Sequence, residues 1–259
     1  MPHAAMTLSQ AITALTLCAL SFSASLNAAE VAPLARRFAY TYPSLTGPVG
    51  EIELENWATW KSRPGSLRTF EFRHEIEYGL TAHTQVGLNP ANWTYDARAR
   101  GSTYNDTSIE VIHNLTNPVT DLFGSALYGE VAMGDRHAGI EGKLILEKRF
   151  GKWVAGWNGA LEAETEGTRF GDFQESNGEL NQSAGISCDL TQSLSLGAEL
   201  VHKMPLVKWH GPENSEVYAG PNIAFHKSHF KVIVATLFQT TNRSEQPAFQ
   251  LRTIIGIEF

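Results

Sequence analysis

Cysteine is scarce in this chain of 259 residues, with Cys18 and Cys188 alone. Basic charge is also short: 20 Lys and Arg stand against 27 Asp and Glu, a net charge of −7. That balance argues against a nucleic-acid partner, which needs a basic surface. Beyond the N-terminus no apolar run approaches the ~20 residues of a helical membrane span. Such a chain crosses a membrane as a closed barrel or not at all, because only helices and closed barrels satisfy their backbone in lipid.

The first 29 residues lack Asp, Glu, Lys and Arg altogether. Ala11–Ala24 is apolar, and Ser25-Leu26-Asn27-Ala28-Ala29 separates it from the first charge, Glu30. The pattern predicts a secretory signal peptide over residues 1–29, cut after Ala28 or Ala29. Leu17-Cys18 lacks the small residue that a lipoprotein site needs before its cysteine. Cleavage removes Cys18, so the exported chain keeps Cys188 and forms no intrachain disulfide. Its stability must come from elsewhere.

What the remainder has in quantity is alternation. In Phe249–Phe259, Phe249, Leu251, Thr253, Ile255, Ile257 and Phe259 share one face of an extended strand. Gln250, Arg252, Ile254, Gly256 and Glu258 share the other. Period two with charges on one side suits a strand between lipid and a polar lumen. Gly50–Trp60 and Leu67–Leu80 repeat the pattern, with Phe70, Phe72, Ile76, Tyr78 and Leu80 opposite Glu71, Arg73, Glu75 and Glu77. Further segments follow at 85–95, 108–115, 125–133, 140–150, 153–165, 180–190, 194–204, 217–225 and 230–240. Pro90 interrupts one of them and marks a bulge or strand end. Connectors at 80–84, 150–153, 190–194 and 226–230 are short, whereas those at 96–106, 166–177 and 205–215 read as longer loops. Short turns at one end and longer loops at the other are expected of a bacterial barrel, as is an even strand number, here about twelve. Tyr78, Phe150, Trp153, Phe225, Phe230 and Phe259 gather at the short turns as one interfacial girdle. Trp60 and Phe70 make a thinner one opposite.

Three stretches carry a resemblance: GEIELENWATWK near the start, EFRHEIEYGLTAHTQVGL and EGKLILEKRFGKW. With these the chain resembles a poorly characterised family of porin-like outer-membrane β-barrels of Gram-negative bacteria. The resemblance implies an all-β fold: a closed antiparallel transmembrane barrel of about twelve strands over residues 49–259, after the cleaved signal peptide. Residues 30–48 would be a periplasmic or lumenal segment. It implies outer-membrane lipid as surroundings, the barrel-assembly machinery as a partner of the C-terminal strand, and no catalytic residues.

On such a barrel the inward positions are Glu51, Glu53, Glu55, Glu71, Arg73, Glu75, Glu77, Glu110, Glu130, Glu141, Lys143, Glu147, Arg149, Glu162, Glu164, Glu199, Lys203, Lys231 and Arg252. Unpaired buried carboxylates cost several kcal/mol. The excess of acid therefore requires water, cations or further basic groups inside, and Arg36 and Arg37 supply these if 31–48 folds inward. Rings of carboxylates favour cations. The expected function is passive diffusion of small hydrophilic solutes or ions, with cations preferred and no cofactor. Eight-stranded barrels are filled and sixteen-stranded ones open, so about twelve strands sit between. A non-conducting structural or adhesive barrel and a membrane-embedded hydrolase are the alternatives. No serine is placed beside His113 or His202, and His226 and His229, three apart in a turn, lack a third metal ligand. Gly171-Asp172 and Gly211-Pro212 do not make a phosphate cradle. His74 and Asn56 stand out, since both fall on the lipid face.

Overall fold

A computed structural model describes residues 36–65, 67–135, 137–166, 176–211, 215–241 and 243–259. The expected signal peptide, and residues 171, 172 and 212 of the two glycine loops, lie outside them. Twelve strands form a single closed barrel: β1 Ile52–Arg63, β2 Leu67–Thr81, β3 Thr84–Asp96, β4 Gly101–Thr116, β5 Gly124–Met133, β6 His137–Phe150, β7 Trp153–Glu166, β8 Asn177–Asp189, β9 Leu194–Leu206, β10 Glu216–Lys227, β11 Phe230–Gln239 and β12 Phe249–Glu258. Each strand pairs antiparallel with its neighbours in sequence. The barrel closes between β1 and β12, where Leu54 faces Ile257 and Trp60 faces Leu251. Closure leaves no exposed sheet edge.

The alternation read from sequence sets the two faces. Ile109, Leu127, Phe150, Phe225 and Phe238 point out and are exposed, while Glu55, Glu75, Glu110 and Glu199 point in and are buried. The short turns after β2, β6, β8 and β10 lie at one end, with the strand junction of Ile52 and Phe259. At the other end, aromatic contact runs unbroken across four strand borders. Phe238 and Phe249 are 5.4 Å apart, Phe249 and Trp60 5.4 Å, Trp60 and Phe70 6.2 Å, and Phe70 and Tyr95 6.5 Å.

Two expectations need correction. The stretch 96–106 is not a long loop: β3 runs to Asp96 and β4 begins at Gly101, with Thr94 facing Thr103 and Tyr95 facing Ser102. Polar residues with strand propensity extend a hairpin into solvent as readily as apolar ones extend it through lipid. The inner face is also not uniformly polar. Ala224, Ile233, Ala235 and Ile254 form a buried apolar strip together with Ala39. Its sign in the sequence is Phe230–Phe238, apolar nearly without break, as strands covered on both faces read. Pro90 lies in an irregularity where β3 shifts register against both β2 and β4. The shift flips which residues face inward, from Asn89 before it to Asn92 after.

Candidate functional site

Residues 36–48 lie inside the barrel, and wall side chains hold much of their backbone. Glu199 on β9 accepts hydrogen bonds from the N–H groups of Ala39, Tyr40 and Thr41 at 2.8, 2.7 and 3.2 Å. Asn158 on β7 accepts from Tyr42 N at 2.6 Å, Glu147 on β6 from Ser44 N at 2.7 Å, and Gln85 on β3 from Gly47 N at 2.7 Å. Asn222 and Asn114 donate to the carbonyls of Arg37 and Ser44 at 2.6 and 2.7 Å. A segment without secondary structure must find partners for its buried polar groups, and these wall residues provide them. Gly185 makes room: a β-carbon there would lie 2.6 Å from the Phe38 ring. The segment enters β1 at the short-turn end, so it fills that half of the lumen.

Its two arginines reach wall carboxylates. Arg36 Nη1 is 3.5 Å from Glu55, and the guanidinium lies over the rings of Tyr42 and Trp57 at 4.4 and 4.5 Å. Arg37 binds Asp189 at 2.9 Å. Deeper pairs surround them. Lys231 sits between Glu53, at 2.6 Å, and Glu55. Arg73 meets Glu110, Glu130 at 2.9 Å and Glu75 at 3.7 Å, while the Tyr128 hydroxyl lies 2.9 and 2.6 Å from Glu110 and Glu130. Arg149 binds Glu147 at 2.5 Å. Glu77 is buried with its carboxylate oxygens close to those of Glu53, Glu55, Glu75 and Glu110. Glu51 stands just ahead of β1 at the barrel rim. Arg36 and Arg37 are the basic groups expected of an inward-folded segment, whereas Gln85 does not stand out by residue type and spacing, and its hold on the segment is read only from the fold.

On the loop side of the segment is a cavity of about 360 Å³. Tyr40, Tyr42 and Trp57 line it, with Glu71, Asp106, Glu130, Glu141, Glu162 and Glu164 as its acids and Lys61, Arg73, Lys143, Lys203 and Arg252 as its bases. Acid and base come out nearly even here, against the surplus of acid in the wall read as a whole. Lys61 pairs with Glu71 at 2.6 Å, Lys143 with Glu141 at 2.9 Å and Lys203 with Glu179 at 3.3 Å.

One relationship spans most of the wall. Read across the strands in register, Glu258, Glu53, Glu77, Gly87, Glu110, Glu130, Glu141, Glu162 and Glu179 stand opposite one another in an unbroken row from β12 through β1 to β8. Strand tilt makes such a row climb. Glu258 ends β12 at the short-turn end, whereas Glu179 lies near the opposite end of β8. Gly87 is the gap the row requires, since a β-carbon there would lie 2.6 Å from the Glu110 side chain. Like charges directly opposite across strands are destabilising, so the row works against the barrel's own stability.

These features define a closed transmembrane β-barrel of the outer-membrane class with a partly filled lumen. The chain belongs to a family of unknown function, DUF6662, whose profile matches residues 35–250. No curated protein sequence matches it. Among solved structures it is similar to the NanC porin, at 11% identity and TM-score 0.55 over 80% of this chain and 98% of that one. It is also similar to the KdgM porin in complex with disordered oligogalacturonate, at 8% identity and TM-score 0.51 over 81% of this chain and 98% of that one. At such identities the likeness is one of fold.

Proposed function

We propose that this barrel is a porin-like passage for small hydrophilic solutes across the outer membrane, preferring cations, with residues 36–48 as its constriction. The climbing row of glutamates carries this reading. It offers successive carboxylates from the loop-side cavity to the short-turn end, past the segment that fills that half of the lumen, and carboxylate-lined pores favour cations. The KdgM porin was solved with oligogalacturonate, an acidic chain; a glutamate-lined wall repels such cargo. Export by the signal peptide and insertion through the Phe249–Phe259 strand belong to the same reading. The test is the reversal potential of purified, heat-modifiable protein in planar bilayers under a potassium chloride gradient. A potential of the sign for potassium over chloride is expected, and anion selectivity overturns the preference. The buried backbone of 39–44 favours a second reading, a barrel closed at rest, and folded protein that never conducts decides for it.

A further inference from the structure

Several charges in the loop-side cavity neutralise one another in pairs, but Arg252 and Glu162 do not. Arg252 spends its guanidinium on neutral partners: the Thr59 hydroxyl at 2.9 Å, the Ala39 carbonyl at 3.3 Å and the faces of Tyr40 and Trp57 at 3.9 and 5.3 Å. Among the described residues it has no carboxylate within ion-pair distance. Glu162 likewise has no basic group within ion-pair distance among them, and the groups beside it along the row are the carboxylates Glu141 and Glu179. Both line the one cavity.

Their strands set them far apart. Arg252 is on β12 and Glu162 on β7, five strands away around the barrel in one direction and seven in the other. The two side chains therefore project from nearly opposite walls. Twelve strands at their usual spacing and tilt enclose a cylinder roughly 24 Å across between backbones, too wide for Arg252 and Glu162 to meet. The cavity thus presents a positive side and a negative side that cannot cancel without something between them.

We propose that this cavity binds small amphoteric solutes, with a cationic group toward Glu162 and an anionic group toward Arg252. The proposal rests on the reading of the lumen as a solute passage and names the solute class that passage admits. A purely cationic solute gains Glu162 but meets Arg252; a purely anionic one gains Arg252 but meets Glu162. A molecule with both ends gains on both walls.

Binding of 6-aminohexanoate, hexylammonium and hexanoate to the detergent-purified full chain, by calorimetry at low ionic strength, separates the cases. These probes share one chain length and differ only in their charged ends. The dipolar probe is expected to bind at least about tenfold more tightly than either singly charged one. Glu162→Gln is expected to weaken 6-aminohexanoate and hexylammonium alike and to leave hexanoate unchanged or tighter. Hexylammonium as tight as 6-aminohexanoate would overturn the proposal, as would no binding of 6-aminohexanoate. The wild-type comparison needs no variant to fold. Bilayer conductance of the same preparation keeps the two readings distinct: a conducting barrel that ignores the dipolar probe refutes only the solute class, and a silent barrel that binds it refutes only the passage.

Discussion

Glu199 Oε2 accepts a hydrogen bond from the backbone nitrogen of Tyr40 at 2.7 Å, so a wall carboxylate latches the segment that fills the lumen. The same carboxylate also takes the N–H groups of Ala39 and Thr41. On the neighbouring strand β10, Asn222 donates to the Arg37 carbonyl at 2.6 Å, so the two strands anchor consecutive parts of the segment.

Replacing Glu199 by alanine strands three buried N–H groups, each at a cost of about 1–3 kcal/mol. The segment is expected to leave its seat at least part of the time, and mean single-channel conductance in planar bilayers to rise several-fold. Glu199→Gln keeps an acceptor oxygen and should rise less. Equal conductance in all three proteins would mean that the segment is not held by this latch.

Arg73 sits among three carboxylates, Glu75, Glu110 and Glu130. Removing one partner of a buried charge group leaves the others uncompensated, at roughly 3–5 kcal/mol. Arg73→Met is therefore expected to lower markedly the temperature at which the folded gel band converts to the unfolded one. Lys203→Met breaks a pair whose side chains are 35% and 28% exposed, and more exposed pairs are worth under about 1 kcal/mol. Its band should convert close to the wild-type temperature. Comparable losses in the two variants would contradict this ranking.

How much of this was open to a reader of the sequence follows from what alternation can encode. Phe70, Phe72, Ile76 and Tyr78 against Glu71, Arg73, Glu75 and Glu77 declare both faces of β2 and its surroundings. Phe230–Phe238 declares only that both faces are apolar, and the cover on its inner side comes from Ala39 and Tyr40, far away in the chain. The glutamates of the row other than Glu179 were legible as inward, but their alignment into one row was not. Register depends on turn geometry and on the shift at Pro90, and a one-residue slip would dissolve the row. Nor does anything in the run Phe38–Ser44 announce a backbone that Glu199, Asn158 and Glu147 will capture. Those contacts belong to the closed barrel.

The row makes a prediction that separates it from total charge. Glu130→Gln and Glu141→Gln each remove a carboxylate that lines the cavity. Either change should reduce the potassium-to-chloride permeability ratio, and the pair should reduce it further. Glu245→Gln removes the same charge from an exposed turn outside the strands and should leave the ratio within error. Equal shifts from all three would assign selectivity to the charge of the whole molecule and not to the row.

The polar residues on the outer face explain each other. Asn56 and His74 are cross-strand partners on β1 and β2. Asn56 Oδ1 lies 2.7 Å from His74 Nδ1, and the Trp93 indole N–H reaches the other ring nitrogen at 3.3 Å. In lipid, where no water competes, a polar group is tolerable when another satisfies it. Asn56→Leu removes the amide and leaves Nδ1 without its partner, an expected loss of about 1–2 kcal/mol. His74→Leu strands the amide instead. The double variant removes both and places two leucines against hydrocarbon, so it should recover most of the loss. Unfolding titrations in lipid vesicles on all four proteins give the coupling. Additive losses would show that the two side chains do not depend on each other, and that their place on the lipid face has another cause.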